Sequence, residues 1–174
     1  MSESTVKLAP VPDWADALID KADTRIRAID LPDQAVISGN LAAFGAATGL
    51  DPQGAGALGL VTSESYTIRL ARDRLLAVGP LPDNVRDGWN EAGFALTRTG
   101  GADQVFELSG DGLPVLLSRA TTLEDTGPSP SALVTFADFR ATLYAHERND
   151  LLRLHVERGL AAHVWAWIEA ALES

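Results

Sequence analysis

The sequence of 174 residues contains no cysteine, no long apolar run and no surplus of basic residues. The lack of cysteine excludes disulfide bonds, thiolate nucleophiles and cysteine-ligated metal sites. No stretch reaches the roughly 18 consecutive apolar residues of a membrane-spanning helix, so no membrane span is predicted. The first residues also lack the apolar segment and cleavage site of a secretory signal. These absences favour a cytoplasmic protein.

The charge balance is acidic. Aspartate and glutamate number 24 and lysine and arginine 14, which gives a formal net charge of −10. The acidic residues are spread along the chain and form no tail. Because such a surface repels phosphate backbones, we expect no nucleic-acid partner. Hydrophobic residues make up 46% of the chain, which is enough for an ordinary globular core.

Hydrophobic periodicity predicts an α+β chain in which strands and helices alternate. Residues 1–12 are interpreted as an N-terminal arm and residues 13–23 as a short helix. Another helix is predicted over residues 83–93, with Asp83 as its N-cap. The remaining helices are predicted at 41–50, 113–120 and 160–172, and the strands at 24–31, 34–39, 66–71, 74–79, 94–100, 104–110, 140–147 and 150–157.

The order strand, helix, hairpin, helix occurs twice along the chain, which predicts an internal duplication. VISGNLAAFGAATGL aligns with ELSGDGLPVLLSRATTL, and LARDRLLAVGPLPDNVRDGW aligns with YAHERNDLLRLHVERGLAAHVW. Each half resembles a split βαβ unit. We therefore expect one domain over residues 24–174, built from two ferredoxin-like lobes at about 24–100 and 101–174. Each lobe would leave one sheet face for the other lobe or for a partner to cover.

The glycine pattern Gly54-x-Gly56-x-x-Gly59 matches the dinucleotide-binding fingerprint in its spacing. That fingerprint functions only where a strand leads into a glycine turn and a helix follows. Here a predicted helix precedes the glycines and a strand-like segment follows them. A loop is the better interpretation, and no cofactor-binding residue is predicted.

Metal and nucleophile patterns are also incomplete. His146, His155 and His163 show no metal-ligand spacing. Ser109 lacks the glycines that a nucleophile elbow needs two residues before and after the serine. Ser109 or Asp111 is instead expected to cap the helix that follows. No catalytic residue and no metal ligand is predicted.

The last predicted helix has one apolar stripe at helical spacing, which includes Leu160, Val164, Ile168 and Leu172. Trp165 is expected at the edge of this stripe, where it widens the apolar face beyond what one sheet needs. Tryptophan is enriched in the energetic centres of protein interfaces. Trp165 and Trp167 are therefore the predicted contacts to a partner protein.

Three segments resemble the gamma subunit of heterotetrameric sarcosine oxidase. They are DRLLAVGPLP (Asp73–Pro82), VFELSGDGLPVLLSRATTLED (Val105–Asp125) and FRATLYAHERNDLLRLHVERGLAAHVWAWIEAAL (Phe139–Leu172). The resemblance covers roughly residues 60 to 172. One departure precedes the Val-Gly-Pro turn, where the family often has tryptophans and this chain has Leu75, Leu76 and Ala77. The departure leaves open a related demethylase of N-methyl amino acids or betaine.

The resemblance implies a fold and a set of partners. The family has the folate-binding fold of the glycine-cleavage T-protein, with two interlocked ferredoxin-like lobes. In the sarcosine oxidase complex, FAD, FMN, NAD, tetrahydrofolate and zinc belong to the alpha, beta and delta subunits. The gamma subunit is a non-catalytic packing subunit, and the complex serves sarcosine catabolism and one-carbon metabolism. A second hypothesis is a free-standing folate-binding protein of the T-protein type, either an aminomethyl carrier or a repair factor.

Overall fold

The computed structural model describes residues 10–31, 33–123 and 129–173. The predicted N-terminal arm up to residue 9 lies outside these residues. The strands are β1 (Leu18–Lys21), β2 (Thr24–Ile29), β3 (Gln34–Gly39), β4 (Leu60–Val61), β5 (Tyr66–Ala71), β6 (Arg74–Val78), β7 (Gly88–Asn90), β8 (Phe94–Arg98), β9 (Asp103–Ser109), β10 (Leu133–Phe136), β11 (Phe139–His146) and β12 (Arg148–Glu157). The helices are α1 (Leu41–Thr48), α2 (Leu113–Ala120) and α3 (Ala161–Glu173).

Two antiparallel sheets make up most of the fold. The large sheet has seven strands in the order β1-β2-β9-β12-β11-β10, with β4 also paired to β11. The small sheet has five strands in the order β5-β6-β3-β8-β7. With three helices beside them, the sheets confirm the predicted α+β class. None of the helices in the described residues is long and apolar enough to cross a membrane.

The helices cover the outer faces of the sheets, and the inner faces meet. Helix α1 packs on the small sheet through Phe44, which contacts Phe94. Helices α2 and α3 pack on the large sheet, where Phe106 and Ile168 are fully buried. Between the sheets lies a third apolar cluster of Tyr66, Ile68, Leu76, Val78, Ala132 and Tyr144. The protein therefore has four layers, and its inner layer boundary is partly polar.

The predicted helix at 13–23 is wrong. Residues 14–16 form a turn, and strand β1 follows it. The Asp13 carboxylate accepts a hydrogen bond from the Ala15 amide at 3.1 Å, and this local bond competes with helix formation. Ala22 and Asp23 then adopt positive φ angles and close a hairpin between β1 and β2.

The predicted helix at 83–93 is also wrong, because this segment contains the short strand β7. Gly88 and Gly93 have φ angles of +84° and +92°, which a right-handed helix does not allow. The Asn90 side chain donates to the carbonyls of Arg86 and Gly88. Glycine in a helix interior costs about 1 kcal/mol, and here the local bonds favour the turn.

The two helices α1 and α2 begin with different caps, and the cap of α2 departs from the prediction. The Asn40 side chain caps α1 by accepting from the Ala43 amide, and Gly49 ends the helix at φ +76°. The cap residue of α2 is Gly112, with no side-chain hydrogen bond, so the expected cap by Ser109 or Asp111 is wrong. A side chain at Gly112 would lie 2.2 Å from the Ala22 carbonyl, so the β1–β2 turn requires glycine there.

Strand β2 pairs with β9, so it joins the large sheet. The sequence assigned β2 to the first lobe and β9 to the second. The small sheet, in contrast, is built only from strands between residues 34 and 98. The chain therefore begins in the large sheet, builds the small sheet with one excursion to the large sheet at β4, and returns to the large sheet. The division into two duplicated lobes stays a prediction.

Candidate functional site

A row of polar residues crosses the inner face of the large sheet. Arg27 on β2 lies opposite Glu107 on β9, Glu107 lies opposite Arg153 on β12, and Arg153 lies opposite Tyr144 on β11. We call these four residues the polar ladder. Their side chains share one face because residues in register on neighbouring antiparallel strands point the same way.

Glu107 is the centre of the polar ladder. Its side chain is only 6% exposed, and it lies between two guanidiniums. Arg27 Nε donates to Glu107 Oε2 at 2.7 Å, and Arg153 Nη2 donates to Oε1 at 3.2 Å. A carboxylate so far from water is tolerated only with such charged hydrogen-bond partners.

A chain of hydrogen bonds joins the polar ladder to the small sheet. Arg153 Nη1 donates to the Tyr66 hydroxyl, which lies 2.8 Å from the Tyr144 hydroxyl. The Tyr144 hydroxyl in turn lies 2.8 Å from His155 Nε2. Because arginine can only donate, each hydroxyl is satisfied when Tyr66 donates to Tyr144 and Tyr144 donates to His155. Tyr66 is the residue of the small sheet that closes this connection.

The pKa shifts of these groups favour a hydrogen-bond chain in which Tyr66, Tyr144 and His155 are all uncharged. Burial raises the pKa of Tyr66 and raises that of Tyr144 well above its ordinary value. Burial, assisted by the Arg153 charge, lowers the pKa of His155 to about 3. At neutral pH both tyrosines keep their protons and His155 is neutral. Chemically, the arrangement binds the two sheets together and holds its protons in place.

A cavity of about 260 Å³ opens beside this connection. Its wall includes Tyr66, His146, Arg153 and, among the charged residues, Asp33 and Glu64. Burial, followed by the Arg153 charge, lowers the pKa of His146. The cavity therefore combines one arginine with two carboxylates.

The glycines of the fingerprint pattern make close contacts within the chain. A side chain at Gly56 would lie 1.5 Å from the Ser129 carbonyl, and one at Gly54 would lie 2.7 Å from Leu75 Cδ2. The next strands along the chain are β4 and β5, so no helix follows the glycines. A larger groove of about 970 Å³ runs along this loop and the start of α1. The glycines serve packing of the loop against β5, β6 and the segment at Ser129.

The three histidines form no common cluster. His146 and His155 are buried on neighbouring strands, whereas His163 is exposed on α3. The described residues contain no group of three or more histidines, aspartates and glutamates that could hold a metal ion. His155 instead forms the end of the hydrogen-bond chain, a role for which the sequence gives no local pattern.

Trp165, expected at the edge of the apolar stripe and as a partner contact, lies in the core of this chain. Trp165 is 4% exposed and packs against Phe106 and Trp14, with ring centroids 5.3 and 5.7 Å apart. The N-terminal segment that carries Trp14 covers it, and the sequence had not assigned that segment to this position. Trp167 is half-buried and contacts Phe136 at 6.0 Å. A contribution of Trp167 to a partner surface stays a prediction.

The sequence interpretation missed Trp89 and the polar ladder. Trp89 lies on the edge strand β7 and is 71% exposed. The incorrect helix at 83–93 hid its position. Glu107 lies between Phe106 and Leu108 on β9, and Arg153 lies between Leu152 and Leu154 on β12. A charge between apolar neighbours in a predicted strand is the signal that could have identified them. Their pairing required the strand register, which the sequence does not state.

The fold defines an α+β protein of two packed antiparallel sheets with helices on their outer faces. A chain of heterotetrameric sarcosine oxidase from Corynebacterium sp. U-96, solved in complex with pyrrole 2-carboxylate, has the same fold. The TM-score is 0.69 at 14% sequence identity, over 92% of this chain and 89% of that chain. The expected structural resemblance is thereby confirmed, and at this identity it concerns the fold alone. No protein-family model and no curated protein matches the chain.

Proposed function

We propose that this chain is a non-catalytic, structural subunit, of the gamma type, in a heterotetrameric sarcosine oxidase or a related flavin-dependent demethylating oxidase. The extent of the structural match carries the proposal. It includes 92% of this chain and 89% of a chain from such a complex, so both are small chains of similar length. A fold alone is weak support for function, but a match of two whole chains favours an equivalent place in an assembly.

The strand order supports the finer description of the fold as two interlocked ferredoxin-like lobes. The small sheet contains the order β5-β6-β3-β8, and the large sheet contains β11-β12-β9-β2. In each, a strand that leads into a helix lies between the second strand of a hairpin and a fourth strand. In the large sheet β2 supplies the fourth strand from the start of the chain. We propose that this exchange of β2 interlocks the lobes.

The polar ladder supports a structural role. Its charged and hydroxyl groups bond one another across two sheets, as the bonds of Glu107 and Tyr66 illustrate. Groups used in this way give one defined packing of the sheets. In the proposed complex FAD, FMN, NAD, tetrahydrofolate and zinc belong to the other subunits, and the chain itself carries none.

The proposed partners are the alpha, beta and delta subunits of a cytoplasmic complex. Trp89 is suited to contact one of them, because it is exposed on the edge strand β7, whose outer side pairs with no strand of the described residues. Exposed tryptophan at a free edge is typical of an interface residue. Trp167, on the opposite sheet's outer layer, is the second proposed contact.

Co-expression tests the proposal. The chain is produced with candidate alpha, beta and delta subunits from its own genome, and the purified assembly is analysed for composition and sarcosine oxidation. We expect a stoichiometric complex that loses stability or activity when this chain is omitted. Failure of the tagged chain to co-purify with any of these subunits would contradict the proposal.

The alternative, a free-standing folate-binding protein, predicts a different result for the isolated chain. Isothermal titration with tetrahydrofolate separates the two functions. Micromolar binding by the isolated chain would favour the folate-binding protein. We expect no saturable heat, because a structural subunit needs no folate site of its own.

A further inference from the structure

The inner face of the large sheet contains a second cavity, away from the Tyr66 connection. Its volume is about 330 Å³, and we call it the arginine cavity; it is lined by Arg25, Arg27, Glu107, Ser109, Arg148 and Leu151. The strand register forms it, since Arg25 and Leu151 both lie opposite Ser109 from the two sides of β9. Arg25, Arg27 and Arg148 have side chains about 60% exposed there, so the cavity is open to solvent.

The charge of this cavity is opposite to that of the chain. The protein has a net charge of −10, yet three of the six lining side chains are guanidiniums and one is a carboxylate. At physiological salt the field of distant charges is screened within about 8 Å. The lining arginines, together with the adjacent carboxylates of Glu107, Asp20 and Asp150, therefore determine which ions this surface attracts.

Two of the arginines are anchored and keep spare donors. Arg27 donates to Glu107 through Nε and Nη2, and Arg148 Nε pairs with Asp150 at 2.7 Å. Each guanidinium has five N–H donors, so Nη1 of Arg27 and both Nη groups of Arg148 keep free donors within the described residues. Glu107 is buried between Arg27 and Arg153 and fixes the Arg27 guanidinium before any ligand binds. This preorganisation lowers the entropy cost of binding.

The other two polar side chains of the cavity are less engaged. Arg25 Nη1 lies 3.9 Å from Asp20 Oδ2, which is an ion-pair distance beyond hydrogen-bond range. In the described part of the chain, the hydroxyl of Ser109 makes no hydrogen bond. Leu151 supplies an apolar patch on the same row. A ligand would thus meet several free donors beside a small apolar contact.

We propose that the arginine cavity binds a polycarboxylate, through the guanidiniums of Arg25, Arg27 and Arg148 and the hydroxyl of Ser109. Guanidinium groups match carboxylates in planar, two-bond geometry. Two or more carboxylates suit the cavity, because its three guanidiniums offer separate sites for ionic hydrogen bonds. The carboxylates come either from a small molecule or from an acidic segment of another protein. This binding is independent of the subunit role proposed above.

Titration calorimetry with the full chain tests the site, with citrate and a hexaglutamate peptide as probes. The variant Arg25→Gln/Arg148→Gln removes two donors from the cavity. Arg72→Gln/Arg140→Gln removes the same charge from exposed positions elsewhere and serves as the control. We expect binding to weaken about ten-fold or more in the cavity variant and to stay near the wild-type value in the control. Thermal melting checks that both variants fold.

Each outcome has a defined meaning. Tighter binding of citrate assigns the site to a small molecule, and tighter binding of hexaglutamate assigns it to an acidic protein segment. Equal weakening in both variants would show non-specific attraction and overturn the proposal. Dissociation constants weaker than about 1 mM for both probes, or inorganic phosphate binding as tightly as citrate, would overturn it too. Amide chemical shifts at Ser109 and Leu151 should follow saturation by the successful probe.

Discussion

The Glu107 carboxylate is almost completely buried and forms ion pairs with an arginine on each side. Arg153, its more buried partner, is 12% exposed, whereas Arg27 is 61% exposed. The contribution of such a buried ion pair to stability depends on its geometry, because the cost of removing both charges from water opposes the gain from their attraction. The surface pair of Asp87 and Arg98, at 3.1 Å with both side chains more than half exposed, provides a comparison within the same protein.

Replacement of Glu107 by alanine should therefore destabilise the fold strongly. The change leaves Arg153 with its charge buried and its carboxylate partner gone, at an expected cost of about 3–5 kcal/mol. The matched variant Asp87→Ala removes an exposed carboxylate and should cost at most about 1 kcal/mol. Urea denaturation measures both. Similar losses in the two variants would mean that the polar ladder adds little to stability.

His155 should make stability depend on pH in a defined window. Its pKa is about 3 in the folded chain against an ordinary value of 6.5, so between these values the unfolded chain binds the extra proton. The free energy of unfolding then falls as pH decreases from 6.5 towards 3, by about 1.4 kcal/mol per pH unit from this group. Asp103, whose pKa burial raises, lies 4.0 Å from His155 Nδ1 and adds a smaller effect of opposite sign.

Urea denaturation at several pH values from 7 to 4 checks this dependence. His155→Gln keeps a polar group near Tyr144 without the titration, so its stability should vary less with pH than that of the wild type. His163→Gln, at an exposed position, should retain the wild-type slope. An unchanged slope in His155→Gln would assign the acid sensitivity to other groups.

At the scale of elements, the sequence predicted secondary structure correctly where the hydrophobic pattern and the turn residues indicate the same element. Helix α1 has a capping asparagine, an apolar interior and a terminal glycine, and the prediction there was confirmed. The segment 83–93 has a helical pattern but two glycines with positive φ, and there local backbone preference decided the structure. The strand register and the return of β2 to the large sheet depend on long-range pairing, which local sequence does not encode.

Helix α3 illustrates how a distant segment changes the environment of a residue. The helical stripe alone places Trp165 at an edge, but Trp14 covers it. Trp165→Ala should therefore cost about 3–5 kcal/mol in the isolated chain. Trp89→Ala, the same change at a 71% exposed position, should alter stability by less than about 0.5 kcal/mol. Thermal melting of both variants checks the contrast, and equal melting temperatures would contradict it.

At the scale of the whole molecule, the two sheets share a core and a chain path. Tyr66 and Ile68 of the small sheet pack with Tyr144 of the large sheet. Between β2 and β9, which pair in the large sheet, the chain forms all five strands of the small sheet and, at β4, one further strand of the large sheet. Separation of the sheets would break the hydrogen bond between Tyr66 and Tyr144 and, in the same step, expose the apolar cluster between the sheets. Neither sheet is therefore a separable unit.

This connectivity predicts a single cooperative unfolding transition for the isolated chain. The calorimetric enthalpy should equal the van't Hoff enthalpy, which is the test of two-state behaviour. Phe44→Leu, in the outer core of the small sheet, and Leu108→Ala, in that of the large sheet, should both lower the midpoint of the same transition. Leu108→Ala is expected to cost about 2–5 kcal/mol because it opens a cavity at a fully buried position. Two transitions, each shifted by only one of these variants, would mean that the sheets unfold independently despite the shared inner core and the placement of β2.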